Sequence, residues 1–370
     1  MSIPPVKFNN TDRPEFFDEL RKRVNQHFKD NKISKYANAN MKIKTIFMIC
    51  LYFLPLAAML SGLVSSLGWV LLMWLLMGFG MSGIGLSIMH DANHGAYSRN
   101  KNVNKYLGYL VNFIGGYHVN WKIQHNVLHH SFTNVHDIDE DIKKPIMRFS
   151  PNQTRKNIYR FQAFYAPFFY SLMTAYWLVS KDFEQVVRYN KANLLSGQNT
   201  TFKKSLTEII LTKALYVILF IALPLILIPI PWWQILLGFL MMQFISGLLL
   251  ALIFQPAHVV ENTNFFKVAE DGSVENNWAI HQMRTTSNFA NRSVVFSWLI
   301  GGLNYQIEHH LFPNICHIHY KKISKIVKKT AEEFNIPYYH HKTFFGAVRS
   351  HFMLLNSLGT GSYDRAMANS

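Results

Sequence analysis

Charged residues are missing from two long stretches of this 370-residue chain. No Asp, Glu, Lys or Arg lies between Thr45 and Met89 or between Ala214 and Val260, although the chain holds 37 basic and 21 acidic residues. A helix crosses the hydrocarbon of a bilayer with about 20 mostly apolar residues, so each stretch is long enough for two crossings. The absence of charge therefore argues against a chain made only of water-soluble domains.

Turn-forming residues interrupt both charge-free stretches near their middle. Serines and glycines occur between Ser61 and Gly68, and Pro229 and Pro231 precede Trp232 and Trp233, whose side chains suit the headgroup boundary. We therefore predict two helical hairpins, with helices near 44–62 and 67–89 and near 208–230 and 233–255. An even number of crossings returns all other segments to one side. The two turns contain no Lys or Arg, so this side is predicted to be cytoplasmic.

Cysteine is scarce, and a secretory signal is lacking. Cys50 lies in a predicted span and Cys316 in a predicted cytoplasmic segment, so no disulfide is expected. The N-terminus has neither the basic start nor the apolar run of a signal peptide, so the first span is expected to be retained.

The net charge of +16 suits a face on anionic headgroups. Nucleic-acid binding, the other use of a basic surface, does not explain four apolar spans, and we expect no nucleic-acid partner.

Histidine, in contrast, is concentrated in three short strings. Of 17 histidines, seven lie in HDANH (90–94), HNVLHH (125–130) and QIEHH (306–310). Histidines four residues apart, such as His90 and His94, face the same side of a helix. His258 adds an eighth imidazole where the fourth predicted span ends. All of these histidines lie outside the four predicted spans, and His90 and His258 lie close to the ends of two of them.

So many imidazoles indicate more than one metal ion. A structural zinc takes four ligands and a catalytic zinc takes about three, whereas two metals sharing eight or nine ligands fit the count better. With nitrogen and oxygen donors and no cysteine ligand, iron is the leading candidate. An acyl chain of the adjoining lipid is the substrate nearest to such a site.

The strings resemble the three histidine boxes of the membrane fatty acid desaturases in order and with similar intervals. HDANH matches the first box, HNVLHH followed by SFTN and the acidic run DIDED matches the second, and GGLNYQIEHHLFPNI matches the third, over roughly residues 45–340. Glutamine at the start of the third box resembles the front-end subgroup, whose members place a double bond between the carboxyl end and an existing one. Many of these carry a fused cytochrome domain with a His-Pro-Gly-Gly motif. That motif is absent from this sequence, so the resemblance implies a separate electron donor such as a ferredoxin or a cytochrome.

The resemblance also implies a site and a reaction. The implied site holds two iron ions, and its ligands would be His90, His94, His125, His129, His130, His258, His309 and His310. Gln306 stands where other branches have histidine, and would ligate weakly, hold a water or orient a neighbour. Side chains expected to orient the ligands are Asp91, Asn93, Asn126, Asn304 and Glu308. The implied activity is O2-dependent insertion of a cis double bond into an acyl chain attached to a lipid, coenzyme A or a carrier, with no catalytic side chain beyond the metal site.

Two other functions remain open at this point. A related di-iron lipid hydroxylase or ketolase would use the same boxes, and only its products would differ. A non-enzymatic metal or haem carrier would place paired histidines within the spans, whereas here they lie outside them.

The predicted fold is an all-α integral membrane protein with four transmembrane helices in two hairpins and a cytoplasmic helical cap that carries the boxes. Its segments are an amphipathic N-terminus (1–43), a first hairpin (44–89), a segment with boxes 1 and 2 and an interfacial or re-entrant helix (90–207), a second hairpin (208–255), and a C-terminal segment with box 3 (256–370). The N-terminal helix would lie on the membrane or pack on the cap. His118, His136 and His281 could orient ligands but are expected not to ligate. Asp137–Asp141 is interpreted as a solvated turn, although in the family such a run follows the second box, and Gln282 and Thr285 are expected to serve in packing. Six further histidines are expected at the surface, namely His27, His317, His319, His340, His341 and His351.

Overall fold

The computed structural model of the protein describes residues 6–9 and 12–368, so the outermost parts of the predicted N- and C-terminal segments lie outside the described residues. Within these ranges the chain is mostly helical, as predicted. In chain order the α-helices α1 to α20 are Glu15–Asp30, Ala39–Leu60, Leu67–Gly83, Met89–Asn93, Lys101–Gly108, Leu110–Phe113, His118–Lys122, His130–Phe132, Gln162–Ser171, Met173–Tyr176, Asp182–Lys191, Phe202–Val217, Leu223–Leu227, Trp232–His258, Trp278–Thr285, Val294–Leu299, Gln306–Leu311, Tyr320–Glu333, Phe344–Thr360 and Ser362–Ala368.

Short pieces of other secondary structure complete the fold. Strands β1 to β4 are Lys7–Phe8, Ser273–Val274, Ser287–Phe289 and Tyr339–His341, and β1 pairs in parallel with β2 as β3 does with β4. Four π-helical turns join consecutive α-helices, at Ile84–Ile88, Ile123–His129, Trp177–Lys181 and Ile218–Ala222.

Four helical stretches of the described chain are long and apolar enough to cross a membrane: Ala39–Leu60, Leu67–Asn93, Phe202–Leu227 and Trp232–His258. These are the four predicted spans, and their bounds differ from the predicted ones by up to six residues. The first begins at Ala39 because the Asn38 side chain accepts a hydrogen bond from the Met41 amide at 3.2 Å, which caps the helix ahead of Lys42 and Lys44. At this end a capping side chain, and not the last charged residue, sets the start of the helix.

The chain divides into two compact units, of which the first comprises residues 37–123 and 168–251. Its helices approach closely at glycines. A side chain at Gly80 on α3 would meet the backbone of Tyr52 on α2, and one at Gly247 on α14 would meet the carbonyl of Tyr170 on α9. Trp74 on α3 packs edge-on against Phe239 on α14, with ring centroids 6.1 Å apart.

The second unit comprises the described residues of 6–36, 124–167 and 252–368. The N-terminal helix α1 packs in its core, burying Phe16, Leu20 and Val24 completely. Its partners lie on α15, α17 and α18, where Ile323, Val327 and Ala331 form the buried stripe of α18. The N-terminal helix therefore packs by its apolar side within this unit.

The aromatic segment between box 2 and the third span is helical. Helices α9, α10 and α11 follow one another with the π-helical turn Trp177–Lys181 between the last two. Phe161, Phe164 and Phe168 recur at helical spacing and are exposed. This segment is not among the four stretches that are long and apolar enough to cross a membrane.

Candidate metal centre

Box 3 forms α17, a buried helix of six residues that is held from one side by Asn288 of β3. The Asn288 side-chain oxygen accepts from the Ile307 amide at 2.9 Å, and its NH2 group donates to the Glu308 carboxylate at 2.8 Å. The Tyr338 hydroxyl donates to the same carboxylate at 3.0 Å. Burial raises the pKa of Glu308 to about 7, against the opposing effect of these hydrogen bonds. Glu308 therefore anchors the helix through Asn288 and Tyr338.

Box 2 lies on a π-helix rather than an α-helix. The turn Ile123–His129 is π-helical, and α8 starts at His130. A π-helix joins residue i to residue i+5, so it brings His130 onto the side of His125. Nε2 of His125 and Nε2 of His130 lie 3.2 Å apart. His129 lies close to two other histidines, His258 and His310.

Three imidazoles, here called the His129 group, converge at the first of two points. His129, His258 and His310 are buried, and each offers one ring nitrogen, with these nitrogens all within 4.8 Å of one another. Metal–nitrogen bonds of about 2 Å bring the ligands of one ion to separations of this order. Nε2 of His258 is buried and has no hydrogen-bond partner among the described residues. A metal ion would satisfy it.

The other ring nitrogens of the His129 group are already occupied. Nδ1 of His310 lies 2.8 Å from the Gln282 side-chain oxygen, and Nδ1 of His258 lies 3.2 Å from the Thr285 carbonyl oxygen. Nδ1 of His129 lies 3.1 Å from the Asp139 carboxylate. With each Nδ1 donating, the tautomer with an unprotonated Nε2 is favoured, which is the form that binds metal.

Carboxylates dominate the electrostatics around His129. Burial alone would lower the pKa of its imidazole, but the charges of Asp139 and Asp141 and the hydrogen bond to Asp139 outweigh burial and raise the pKa. Asp139 is completely buried and also accepts from the backbone amides of Asn134 and Asp141 at 2.9 Å. The expectation that the whole acidic run 137–141 is solvated is therefore wrong for Asp139.

A second set of imidazoles, the His130 group, consists of His125, His130 and His309. Nε2 of His130 lies 3.2 Å from Nε2 of His125 and 2.9 Å from Nε2 of His309. An imidazole nitrogen carries at most one proton, so hydrogen bonding alone leaves lone pairs facing one another here. A cation shared by the three nitrogens would remove that repulsion. Nδ1 of His309 lies 3.2 Å from the Tyr320 hydroxyl, which turns its Nε2 toward the group.

Box 1 belongs to the first unit. His90 lies on α4 and His94 directly follows it, with ring centroids 4.9 Å apart and both rings against Trp121 at 5.6 and 5.8 Å. Gly95, at a φ of +72°, ends the helix immediately after His94. The structure thus presents these two histidines as an adjacent pair at the end of the second span helix.

The side chains expected to orient the ligands mostly contact other groups. Asp91 is buried on α4, and Asn126 is half-buried in the π-helical turn. Asn93 donates to the Gly108 carbonyl at 3.2 Å, and Asn304 donates to the Ser297 hydroxyl at 2.9 Å. Gln306 is buried, and its side-chain nitrogen has no hydrogen-bond partner among the described residues.

Side chains that contact candidate ligands of the second unit include Thr133, Asp139, Asp141, Gln282 and Tyr320, together with the backbone of Thr285. Sequence reasoning assigned Gln282 and Thr285 to packing and gave Tyr320 no role. The only signal for Asp139 was its place in an acidic run directly after box 2. Nε2 of His281 lies 2.7 Å from the Thr133 carbonyl oxygen, a backbone group. Two buried sets of imidazoles in one unit are compatible with a metal centre.

The sequence is similar to known proteins that share one activity by name. The family model of fatty acid desaturases matches residues 65–342. A protein of Synechocystis sp. named sn-1 linoleoyl-lipid 6-desaturase is 34% identical over 96% of this chain and 98% of its own length. An acyl-lipid (8-3)-desaturase of Physcomitrium patens is 34% identical over 96% of this chain and 74% of its own. An sn-1 linoleoyl-lipid 6-desaturase of Arthrospira platensis is 32% identical over 95% of both.

The resemblance carried by the three histidine boxes is confirmed, and with it the expectation of an oxidoreductase acting on fatty acyl chains. Four long apolar helices in a protein of this kind also make it a membrane protein. The chain belongs to the fatty acid desaturase family.

Proposed function

We propose that this desaturase inserts a cis double bond near the carboxyl end of an acyl chain carried by a membrane lipid. The relatives named above act on linoleoyl-lipid and acyl-lipid substrates, according to their names. Glutamine at the start of box 3, which suggested the front-end subgroup, is consistent with that position of attack. O2 is the oxidant, and the electrons come from a separate donor, such as a ferredoxin or a cytochrome.

The proposed centre holds two iron ions on eight histidines. The His129 and His130 groups account for six of them, and His90 and His94 are the other two expected ligands. Gln306 is the proposed ninth ligand or the holder of a water ligand, which would satisfy its buried amide. The convergence of three buried ring nitrogens at each of two points is the observation that carries this proposal.

The chain's own residues prepare the ligands for this task. Asp139, Gln282, Tyr320 and the Thr285 carbonyl hold Nδ1 of four histidines, so that Nε2 of each remains available. The buried position of α17 excludes bulk water from the third box. When bound, the two irons supply O2 activation and the removal of hydrogen from two adjacent methylenes. The protein must position the acyl chain, because position decides which C–H bonds react.

We also propose that the four spans form two hairpins and that residues 1–43, 90–207 and 256–370 share the cytoplasmic side. The hairpins would be 44–89 and 208–255, with bounds adjusted to the helices described above. The exposed aromatic side chains of Phe161, Phe164 and Phe168 support an interfacial position for the helical segment that contains them. All eight histidines would then lie on one side of the bilayer.

Expression in a host that lacks polyunsaturated lipids tests the activity. The host is supplied with linoleate and a competent electron donor, and derivatised acyl chains are located by mass spectrometry. We expect a new cis double bond on the carboxyl side of the existing ones. A hydroxylated or ketone product, or an unchanged acyl profile with several precursors, would contradict the proposal.

Two alanine variants test the site. His310→Ala should abolish both iron loading and product, since it removes a ligand of the His129 group. His27→Ala changes a histidine on α1 outside the groups and should retain both. Iron is measured per chain on purified protein, so that a loss of metal is separated from a loss of expression.

A further inference from the structure

The proposed reaction needs electrons from outside the chain, and this inference rests on that proposed function. Two methylene hydrogens are lost as the double bond forms, and one O2 is reduced to two waters. The acyl chain supplies two of the four electrons, and two more enter with two protons. A one-electron carrier must therefore dock twice in each turnover at a surface close to the metal centre.

The helix α18 presents five exposed lysines on one face, here called the lysine face: Lys321, Lys322, Lys325, Lys328 and Lys329. At about 100° per residue, they fall within an arc of about 120°. The opposite side of α18 is buried against α1 in the core of the second unit. Because its apolar side is already covered, α18 cannot insert that side into lipid as an amphipathic membrane helix does.

Most of the lysine face is not neutralised by carboxylates of the protein. Lys328 lies 3.8 Å from Glu332. Glu333 is paired with Arg23 at 2.6 Å, and Arg23 also holds Glu19 at 2.7 Å. Within the described chain, the other four lysines form no ion pair. The face therefore keeps a positive charge and is complementary to an acidic surface.

The lysine face begins next to a candidate iron ligand. Tyr320, the first residue of α18, is buried, and its hydroxyl lies 3.2 Å from Nδ1 of His309. Nε2 of the same imidazole lies 2.9 Å from Nε2 of His130. Lys321 and Lys322 directly follow Tyr320 in the chain. Between a carrier docked on these two lysines and His130 of the His130 group lie the side chains of Tyr320 and His309.

We propose that the lysine face of α18 is the docking surface for a soluble, acidic, one-electron carrier protein. Charge attraction brings the carrier to the face, and Tyr320 and His309 connect the start of that face to the His130 group. Attraction of this kind weakens as salt screens it, over about 10 Å at 0.1 M. Binding should therefore depend on both the lysines and the ionic strength.

Binding of the purified full-length protein in detergent to an acidic plant-type [2Fe–2S] ferredoxin tests the proposal. The variant carries Lys321→Gln, Lys325→Gln and Lys329→Gln. The matched control carries Lys101→Gln, Lys203→Gln and Lys204→Gln, which remove the same charge from exposed positions of the first unit. At about 50 mM salt, where screening is weak, we expect Kd to rise about tenfold or more in the variant and less than twofold in the control. The difference should vanish at about 0.5 M salt.

Further measurements separate this proposal from the proposed function. Iron content and single-turnover product with dithionite as the reductant should be the same in the variant, the control and the unaltered protein. Equal losses of ferredoxin binding in the variant and the control, or no salt-dependent binding of the unaltered protein, would overturn the docking surface. The proposal would also be overturned if the variant bound ferredoxin as the unaltered protein does but bound phosphatidylglycerol vesicles more weakly. That result would make the lysine face a lipid contact. If ferredoxin binding follows the lysine face but dithionite yields no product, only the proposed function fails.

Discussion

Two aspartates of the same acidic run have different surroundings. Asp139 is completely buried and contacts Nδ1 of His129, whereas the Asp137 side chain is 65% exposed and pairs with Lys143 at 2.9 Å. In sequence they are equivalent members of the run DIDED. Their difference depends on which side chain the fold turns inward, and no pattern of charge or periodicity encodes that. The family resemblance predicted the ligands, but their buried partners required the structure.

Replacement of Asp139 by asparagine should weaken the metal centre. The variant loses the charge that raises the pKa of His129 and orients its ring, and loss of such partners lowers metal affinity or activity by about 10- to 100-fold. The measurement is iron bound per chain at a series of free iron concentrations, together with product yield. Asp137→Asn is the matched control and should keep both within about twofold, since an exposed ion pair contributes little. Equal effects of the two changes would remove Asp139 from the site.

Several histidines expected at the surface are buried instead. His317, His319 and His351 are at most 7% exposed, so the expectation is wrong for these three. Nδ1 of His351 lies 2.7 Å from the Val259 carbonyl oxygen. Arg349 and Ser350 directly precede His351 in the chain. In the structure, α19 places Leu354, Leu355 and His351 on its buried side.

Burial of His351 makes the stability of the protein depend on pH. Burial lowers the pKa of His351 to about 4, whereas an unfolded histidine titrates near 6.5. Between these values the unfolded state binds the proton and the folded state does not, so stability falls as pH drops from about 6.5 toward 4. The full shift corresponds to about 3 kcal/mol.

His351→Gln tests this dependence, because glutamine keeps a donor for the Val259 carbonyl and does not titrate. Thermal unfolding of the metal-free protein is followed in detergent at pH 7 and pH 4.5. We expect a smaller drop in unfolding temperature between the two pH values in the variant than in the unaltered protein. His27→Gln, on the partly exposed part of α1, should leave the drop unchanged. The same drop in all three proteins would show that His351 does not carry the effect.

At the scale of elements, the sequence predicted the four long apolar helices but not the approach of His130 to His125 within box 2. The length of the charge-free stretches and the turn residues within them were sufficient to predict the four long apolar helices. Charged side chains and unpaired backbone groups are costly in lipid, so a span must be an uncharged helix. The interpretation of box 2 assumed α-helical spacing, which groups His125 with His129. The π-helical turn Ile123–His129 also brings His130 to His125, with their Nε2 atoms 3.2 Å apart. A π-helix depends on the packing of the surrounding chain, so the 3.6-residue period could not reveal it.

The close approach of α2 and α3 depends on Gly80. A Cβ atom there would lie 2.6 Å from the backbone nitrogen of Tyr52, and backbone cannot move aside as a side-chain end can. Gly80→Ala should therefore push the two helices apart and lower the unfolding temperature by several degrees, as overpacking costs about 1–3 kcal/mol. The measurement is thermal unfolding in detergent.

Gly68→Ala, on the same helix α3, is the control for the change of glycine to alanine. A Cβ atom at Gly68 meets no other atom within 4 Å. Alanine favours a helix over glycine by about 1 kcal/mol, so this variant should be as stable as the unaltered protein or slightly more stable. If Gly80→Ala were equally harmless, the contact with Tyr52 would not constrain the two helices.

At the scale of the whole molecule, the distribution of charge is the main support for the proposed orientation of the protein in the membrane. The basic residues lie outside the charge-free blocks, and the turn between α2 and α3 has none. The proposed arrangement places this turn on the far side of the membrane and all other polar segments in the cytoplasm. The helical segment from α9 to α11 is the critical point, because a fifth crossing there would move everything after it to the other side.

Three serine-to-cysteine variants test this arrangement in a background with Cys50→Ser and Cys316→Ser. Ser65 lies in the turn between α2 and α3, Ser196 follows α11, and Ser362 begins α20; all three are exposed. In intact cells treated with a membrane-impermeant maleimide, we expect label on Ser65→Cys only, since the four crossings leave the other two positions in the cytoplasm. Permeabilised cells should show label on all three, which controls for reactivity. A fifth crossing through α9 and α10 would expose both Ser196→Cys and Ser362→Cys to the reagent, and would place box 3 across the membrane from boxes 1 and 2, where the eight histidines could not share a centre.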